Sequence, residues 1–231
     1  MVVTLHPRMA SLLDEILSTE AYSMPQSFTG TGAPGNYLEH LFGVDGGNAD
    51  IPDMASWELK FHGGNSLLTL FHKDPYPREN LKSFVFENGW VTDKGEVSFR
   101  HTIYGNKATS RGFYITQKDE KIIIANNSKS ITPLYWTHDV VINAFVQKLR
   151  RLIFVTGVRR KQTVSYHKAY LLQELQITSF IKAILSGGIA IDFDAKFRVD
   201  GRFRNHGTKF RIRPENLPMI YHNVQKFEKP T

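Results

Sequence analysis

The chain has no cysteine among its 231 residues, which excludes a disulfide framework, a thiolate zinc site and a cysteine nucleophile together. No apolar run approaches the ~18 residues needed to cross a bilayer. The first residues, Met1-Val2-Val3-Thr4-Leu5-His6-Pro7-Arg8, lack the charged and then apolar halves of a secretion signal. The expectation is a cytoplasmic protein with no membrane partner. Acids are in short supply: 22 Asp and Glu face 29 Lys and Arg, and a formal net charge of +7 biases the partner toward a polyanion. Catalytic signatures are scarce too. The nine histidines never form His-Glu-x-x-His, and no Gly-x-Ser-x-Gly elbow occurs. Gly30 and Gly35 have P-loop spacing, but Asn36-Tyr37 stands where a lysine and a hydroxyl would have to reach phosphates and Mg²⁺.

What the chain does have is 41% hydrophobic and 12% aromatic residues, enough for a substantial core, and its length suits one domain. Met9, Leu12, Leu13 and Ile16 have helical spacing over residues 7–19, with Pro7 tolerated in a first turn. Residues 27–35 read as a glycine- and hydroxyl-rich loop. It leads to a helix over 36–42 whose apolar side holds Leu38, Leu41 and Phe42, with Glu39 beside it and Gly43 as the stop. A strand over 57–61 and a second over 67–72 should pair antiparallel across His62-Gly63-Gly64-Asn65-Ser66. Residues 83–125 read as a β-meander, 139–149 as a helix, 152–155 as a buried strand, 170–185 as a helix and 189–193 as a strand. This alternation suits an α/β or α+β fold, a central mixed β-sheet flanked by helices.

The stretch with chemistry in it is Asp53-Met54-Ala55-Ser56-Trp57-Glu58-Leu59-Lys60. Alternation puts Trp57, Leu59 and Phe61 on one face of a strand and Glu58 and Lys60 on the other. Two carboxylates could hold a hard divalent ion, and an adjacent ammonium could orient a water and counter the charge of a phosphate. That is equipment for phosphodiester hydrolysis. The alternative is a solvated strand face carrying a Glu/Lys pair, which the spacing alone leaves open. Asp50 is a competing acid, eight residues before Glu58 where Asp53 is five before, and it reads as a charged turn residue.

Basic residues cluster near the C-terminus. Lys196, Arg198, Arg202, Arg204, Lys209, Arg211 and Arg213 lie within 18 positions that contain one acid, Asp200. Lys209, Arg211 and Arg213 alternate with Phe210 and Ile212, so three cations share a strand face suited to a DNA groove, where arginine can pair bidentately with guanine. Arg202, Arg204 and Arg213 suit phosphate. A solvated surface strand would have the same composition. The polar loop over residues 106–111, ending at Arg111, could approach DNA from elsewhere.

Pro52-Asp53, four residues, then Glu58-Leu59-Lys60 matches the PD-(D/E)XK nuclease pattern, and the surroundings resemble the MvaI/BcnI restriction endonucleases, relatives of the mismatch-repair nicking enzyme MutH. Three further segments carry the resemblance: residues 35–43, Gly-Asn-Tyr-Leu-Glu-His-Leu-Phe-Gly; residues 66–75, Ser-Leu-Leu-Thr-Leu-Phe-His-Lys-Asp-Pro; and residues 205–212, Asn-His-Gly-Thr-Lys-Phe-Arg-Ile. It implies a restriction-endonuclease-like fold in one nuclease domain over 1–231, divisible into two lobes around a DNA-binding cleft. A catalytic lobe would include residues 30–80, and recognition elements would lie near 100–112 and 196–213. By the same resemblance, Asp53, Glu58 and the Leu59 carbonyl would ligate Mg²⁺, with Mn²⁺ a substitute. Lys60 would position the attacking water and Glu39 would support the site. His72, Lys73, His206, Lys209 and Arg211 would meet DNA, His72 at the central base pairs.

The resemblance further implies a type II enzyme that cuts duplex DNA at a CC-N-GG type site, as a monomer taking the strands in succession. A cognate methyltransferase would belong to the same system without being a stable subunit. Two alternatives stand beside this: a MutH-like repair nickase, and a sequence-specific DNA-binding protein whose nuclease site has decayed. Intact Asp53, Glu58 and Lys60 speak against decay.

Overall fold

The computed structural model describes residues 3–44 and 57–227. In chain order the elements begin with α1 (Pro7–Ser18), β1 (Tyr22–Ser23), α2 (Ala33–Leu41), β2 (Glu58–His62), β3 (Leu68–His72), α3 (Asn80–Asn88) and β4 (Trp90–Val91). Next come β5 (Val97–Ile103), β6 (Phe113–Lys118), β7 (Lys121–Asn126), β8 (Tyr135–Thr137), α4 (His138–Leu149), β9 (Arg151–Arg160) and β10 (Thr163–Leu175). The last are α5 (Ile177–Leu185), β11 (Ile189–Phe197), β12 (Phe203–Asn205), β13 (Lys209–Ile212), a 3₁₀ stretch over Pro214–Ile220 and β14 (Tyr221–Lys226). No helix among the described residues is long and apolar enough to cross a membrane.

The chain divides into two compact units. The first comprises Met1–Ser66, Val146–Gln176 and Tyr221–Thr231, the second Leu67–Phe145 and Ile177–Ile220. Residues 30–80 are therefore split at Ser66–Leu67.

In the first unit a sheet runs β1-β10-β9-β2, with β14 also on β10. Its spine is the β9–β10 hairpin, paired from Thr163–Arg160 to Gln173–Arg151 with an irregularity between Tyr166 and Lys168. Gly157 sits at that irregularity. A Cβ there would meet the Ser165 carbonyl oxygen at 2.0 Å, so only glycine lets the strands close. β2 joins β9 in parallel, Glu58 opposite Leu152 and Lys60 opposite Phe154. One sheet face (Leu59, Ile153, Val155, Val164, Tyr166, Ala169) buries against Leu13 and Ile16 of α1 and Ala33 and Leu38 of α2. The Tyr166 hydroxyl donates to the Pro34 carbonyl at 2.8 Å and ties the start of α2 to the sheet.

In the second unit an antiparallel sheet runs β3-β13-β11-β5-β4, with β12 on β11, and a smaller one runs β6-β7-β8. The apolar side is aromatic: Phe84 of α3 lies edge-on to Phe99 at 5.0 Å and stacks on Phe193 at 5.8 Å, while Trp136 lies edge-on to Phe210 at 5.6 Å.

Both units bear out a mixed α/β architecture, but several local expectations change. β2 and β3 are not a hairpin: β2 pairs with β9 and β3 with β13, in different sheets. The apolar run of β9 is a better cover for β2 than the shorter β3, and this long-range pairing has no local signature. Residues 83–125 are not a meander, because α3 occupies 80–88 and β5 lies in a different sheet from β6 and β7. Residues 170–175 continue β10, since their partners on β9 and β14 outweigh a helical spacing of apolar residues. Only Ile177–Leu185 of the expected 170–185 helix is helical.

Candidate active site and nucleic-acid interface

In the first unit, Glu58 opens β2 with only 2% of its side chain exposed. A carboxylate this buried requires charge partners, and two lysines among the described residues meet it. Lys60 Nζ, two residues on along the same strand face, lies 2.9 Å from Oε1. Lys148 Nζ, from the last turn of α4, lies 3.2 Å from Oε2. The face expected to be charged is thus charged but not solvated. Its floor is apolar, with Leu152 and Phe154 beside Glu58 and Lys60 in register on β9. Nearby Tyr221 donates its hydroxyl to the Leu149 carbonyl at 2.8 Å, and burial, with the Glu58 charge a smaller cause, raises its phenol well above the ordinary value.

Leu59 points the other way, its side chain 3% exposed within the core. Glu39 is half-buried on α2, a helix packed against β2. Asp53 and Asp50 lie outside the described residues. Among the described residues no three carboxylates or imidazoles gather into a metal-sized group. The donors on this face are carboxylate oxygens, which suits a hard divalent cation rather than a thiophilic one.

Sequence reasoning missed Lys148. Its only signal was a cation in a helix's last turn, and nothing local relates residue 148 to residue 58.

In the second unit, one face of the antiparallel sheet is polar. Lys209 and Arg211 of β13 lie on it, with Phe210 and Ile212 buried on the other side, as alternation requires. Lys209 Nζ lies 3.2 Å from Asp194 Oδ2, and Arg211 Nη1 donates to Asp192 Oδ2 at 2.9 Å. Arg211 Nη2 also donates to the Leu67 carbonyl at 2.7 Å. His72 ends β3, exposed and in register with Lys209. Its ring passes Gly207, where a Cβ would stand 3.0 Å from His72 Cδ2, and Gly207 has φ +83°, so glycine is needed twice over.

Asp74 holds this turn: its oxygens accept from Thr208 N and from Asn205 Nδ2, each at 3.0 Å. The Lys73 backbone N–H donates to the Thr208 carbonyl at 2.8 Å. His206 is exposed and anchored by its N–H to the Asp194 carbonyl at 2.9 Å.

The other expected contacts are more scattered. Arg202 is exposed but bonded by Nε to Asp200 at 2.7 Å, Arg204 is exposed on β12, and Arg213 lies 4.0 Å from Glu215. Arg111 lays its guanidinium over Trp90, 4.4 Å from the ring centroid. Asp192, Asp194 and Asp74 were missed because charge counting looked for cations.

A family model for the MvaI/BcnI restriction endonuclease family matches residues 13–221. The chain belongs to that family. Membership makes it a type II site-specific deoxyribonuclease. Its fold is similar to a solved structure titled as restriction endonuclease MvaI with a cognate DNA substrate, at TM-score 0.83, 22% identity and coverage of 97% of this chain and 100% of that one. It is also similar to MvaI in the absence of DNA, at TM-score 0.59, 21% identity and coverage of 98% and 100%. No curated sequence matches the chain.

Proposed function

We propose that this chain is a Mg²⁺-dependent enzyme that recognises a short sequence in double-stranded DNA, of CC-N-GG type, and hydrolyses a phosphodiester in each strand. It would act as a monomer on the two strands in succession, in the cytoplasm, alongside a methyltransferase that protects host sites. The observation that carries the reading is Lys60 Nζ 2.9 Å from a buried Glu58 on the strand that follows Pro52-Asp53. A carboxylate that can hold a hard divalent ion, with an ammonium beside it that can orient a water, supports phosphodiester hydrolysis in a chain of this family.

Asp53, Glu58 and the Leu59 carbonyl would hold the ion, which supplies Lewis acidity and charge neutralisation at the phosphate. Lys60 Nζ, oriented by Glu58 Oε1, can donate to a water oxygen and hold it in line. Lys148 on Oε2 keeps the carboxylate from swinging as charge builds at the phosphate. Glu39, on the neighbouring helix, would accept from solvent or a water of the ion. His72, Lys73, His206, Lys209 and Arg211 would read bases or hold their neighbours, with Arg111, Arg202, Arg204 and Arg213 toward phosphates.

Supercoiled plasmid incubated with the purified protein, with and without Mg²⁺, tests this. The expected products are discrete linear fragments that require the metal. Nicked circles alone would instead support a repair nickase, and binding without cleavage a decayed nuclease.

A further inference from the structure

The polar face of the second unit's sheet is not a plain cationic surface. Two carboxylates stand in its middle, on β11, and each divides its oxygens between flanking strands. Asp192 Oδ1 accepts from Thr102 Oγ1 of β5 at 2.8 Å while Oδ2 accepts from Arg211 of β13 at 2.9 Å. Asp194 Oδ1 lies 3.3 Å from Arg100 Nε of β5 while Oδ2 lies 3.2 Å from Lys209 Nζ of β13. The two cation pairs to β13 are diagonal, since Asp192 is directly opposite Lys209 and Ala190 opposite Arg211, whereas Arg100 of β5 is directly opposite Asp194. Each long side chain is therefore drawn along the sheet to a fixed place.

Two features make this more than cross-strand pairing. Carboxylates amid cations oppose phosphate, so the arrangement weakens indiscriminate affinity for DNA, most of which comes from phosphate neutralisation. In addition, Arg211 is held at both terminal nitrogens, by Asp192 and by the Leu67 carbonyl, and its Nε is buried. Only the outward hydrogens of its terminal nitrogens remain to be offered. A free lysine or arginine side chain gives up rotamer entropy when a contact fixes it, and one already immobilised does not lose it on binding.

We propose that Asp192 and Asp194 are specificity-determining positioning residues. They set Arg211 and Lys209 for base edges and reduce the affinity of this face for DNA that offers only phosphates. The inference rests on the DNA-recognition reading above.

The test is selection from a duplex pool with a randomised centre, in Ca²⁺ to hold cleavage off, followed by sequencing of the bound fraction. The full chain is compared with Asp192→Asn, Asp194→Asn and Asp192→Glu. Wild type should enrich one motif. Each Asn variant should lower that enrichment by about tenfold or more, as expected for a weakened base pairing. It should bind the unselected pool more tightly, with a log–log salt slope steeper by about one. Asp192→Glu keeps the charge but moves the carboxylate, so it should lose enrichment without gaining pool affinity. Thermal melting is followed throughout; Thr102→Val, which removes the Oδ1 partner of Asp192, replaces Asp192→Asn if that variant does not fold, and Arg100→Gln, which weakens the Oδ1 contact of Asp194, replaces Asp194→Asn.

Unchanged enrichment in the variants, or an equal loss for all DNA with a lowered melting point, overturns the inference while recognition stands. A folded wild type that enriches no motif overturns the recognition reading itself.

Discussion

Lys148 and Lys60 grip opposite oxygens of one buried carboxylate: Lys148 Nζ is 3.2 Å from Glu58 Oε2, and Lys60 Nζ is 2.9 Å from Oε1. One partner comes from the same strand and the other from a helix about ninety residues away in sequence. The local pair carries the recognisable motif. The distant lysine meets the second oxygen, so both oxygens of the buried carboxylate face a cation.

Lys148→Met should therefore destabilise the fold by about 1–3 kcal/mol, less than the ~3–5 kcal/mol for stripping a buried pair of its only partner, because Lys60 remains. Urea unfolding measures this. Single-turnover cleavage should slow as well, with DNA affinity little changed. A variant as stable and as fast as wild type would remove Lys148 from the site.

Lys60→Ala should bind target DNA in Ca²⁺ with near-normal affinity while its single-turnover cleavage rate falls by about 10² or more, because the ammonium acts on the transition state rather than on ground-state binding. Fluorescence anisotropy and rapid-quench cleavage give the two quantities. Near-normal cutting would sink the catalytic assignment.

Arg211→Ala should cost ~1–3 kcal/mol at the preferred sequence and much less elsewhere, relaxing specificity at one base pair. Competition binding between preferred and single-substituted duplexes reads the difference. A loss equal across all sequences would make Arg211 a phosphate contact.

Tyr166→Phe removes the hydroxyl that satisfies the buried Pro34 carbonyl. The expected loss is about 1–3 kcal/mol, seen in urea or thermal unfolding, with little change in the apolar packing of the ring.

His101 has its imidazole pKa lowered, by burial first and by the Arg111 charge second. The unfolded chain holds that proton more tightly than the folded one. Stability should thus be full above the unfolded value of about 6.5 and fall as pH drops toward the depressed folded value. His101→Gln should flatten that dependence in unfolding measured between about pH 7 and 5. NMR titration of the ring, with a midpoint at or above the unfolded value, would contradict it.

Local chemistry was legible in the residues themselves. Alternation by itself placed Glu58 and Lys60 on one face and Lys209 and Arg211 on another, because a strand's side chains have a period of two whatever the strand pairs with. Four motifs in order were enough to indicate the family that the match over residues 13–221 establishes. Helix α1 and the buried run of β9 were equally local, set by apolar spacing.

The tertiary structure decided which strands meet and which charges find partners. β2 lies on β9 rather than β3, residues 170–175 extend a hairpin rather than begin a helix, and Lys148 closes on Glu58. It also turned the basic segment into a charge-matched face by placing β11 between β5 and β13. These are long-range pairings, governed by how much apolar surface each arrangement buries and by which buried charges it can satisfy. Neither quantity exists for a chain until its distant segments have been brought together.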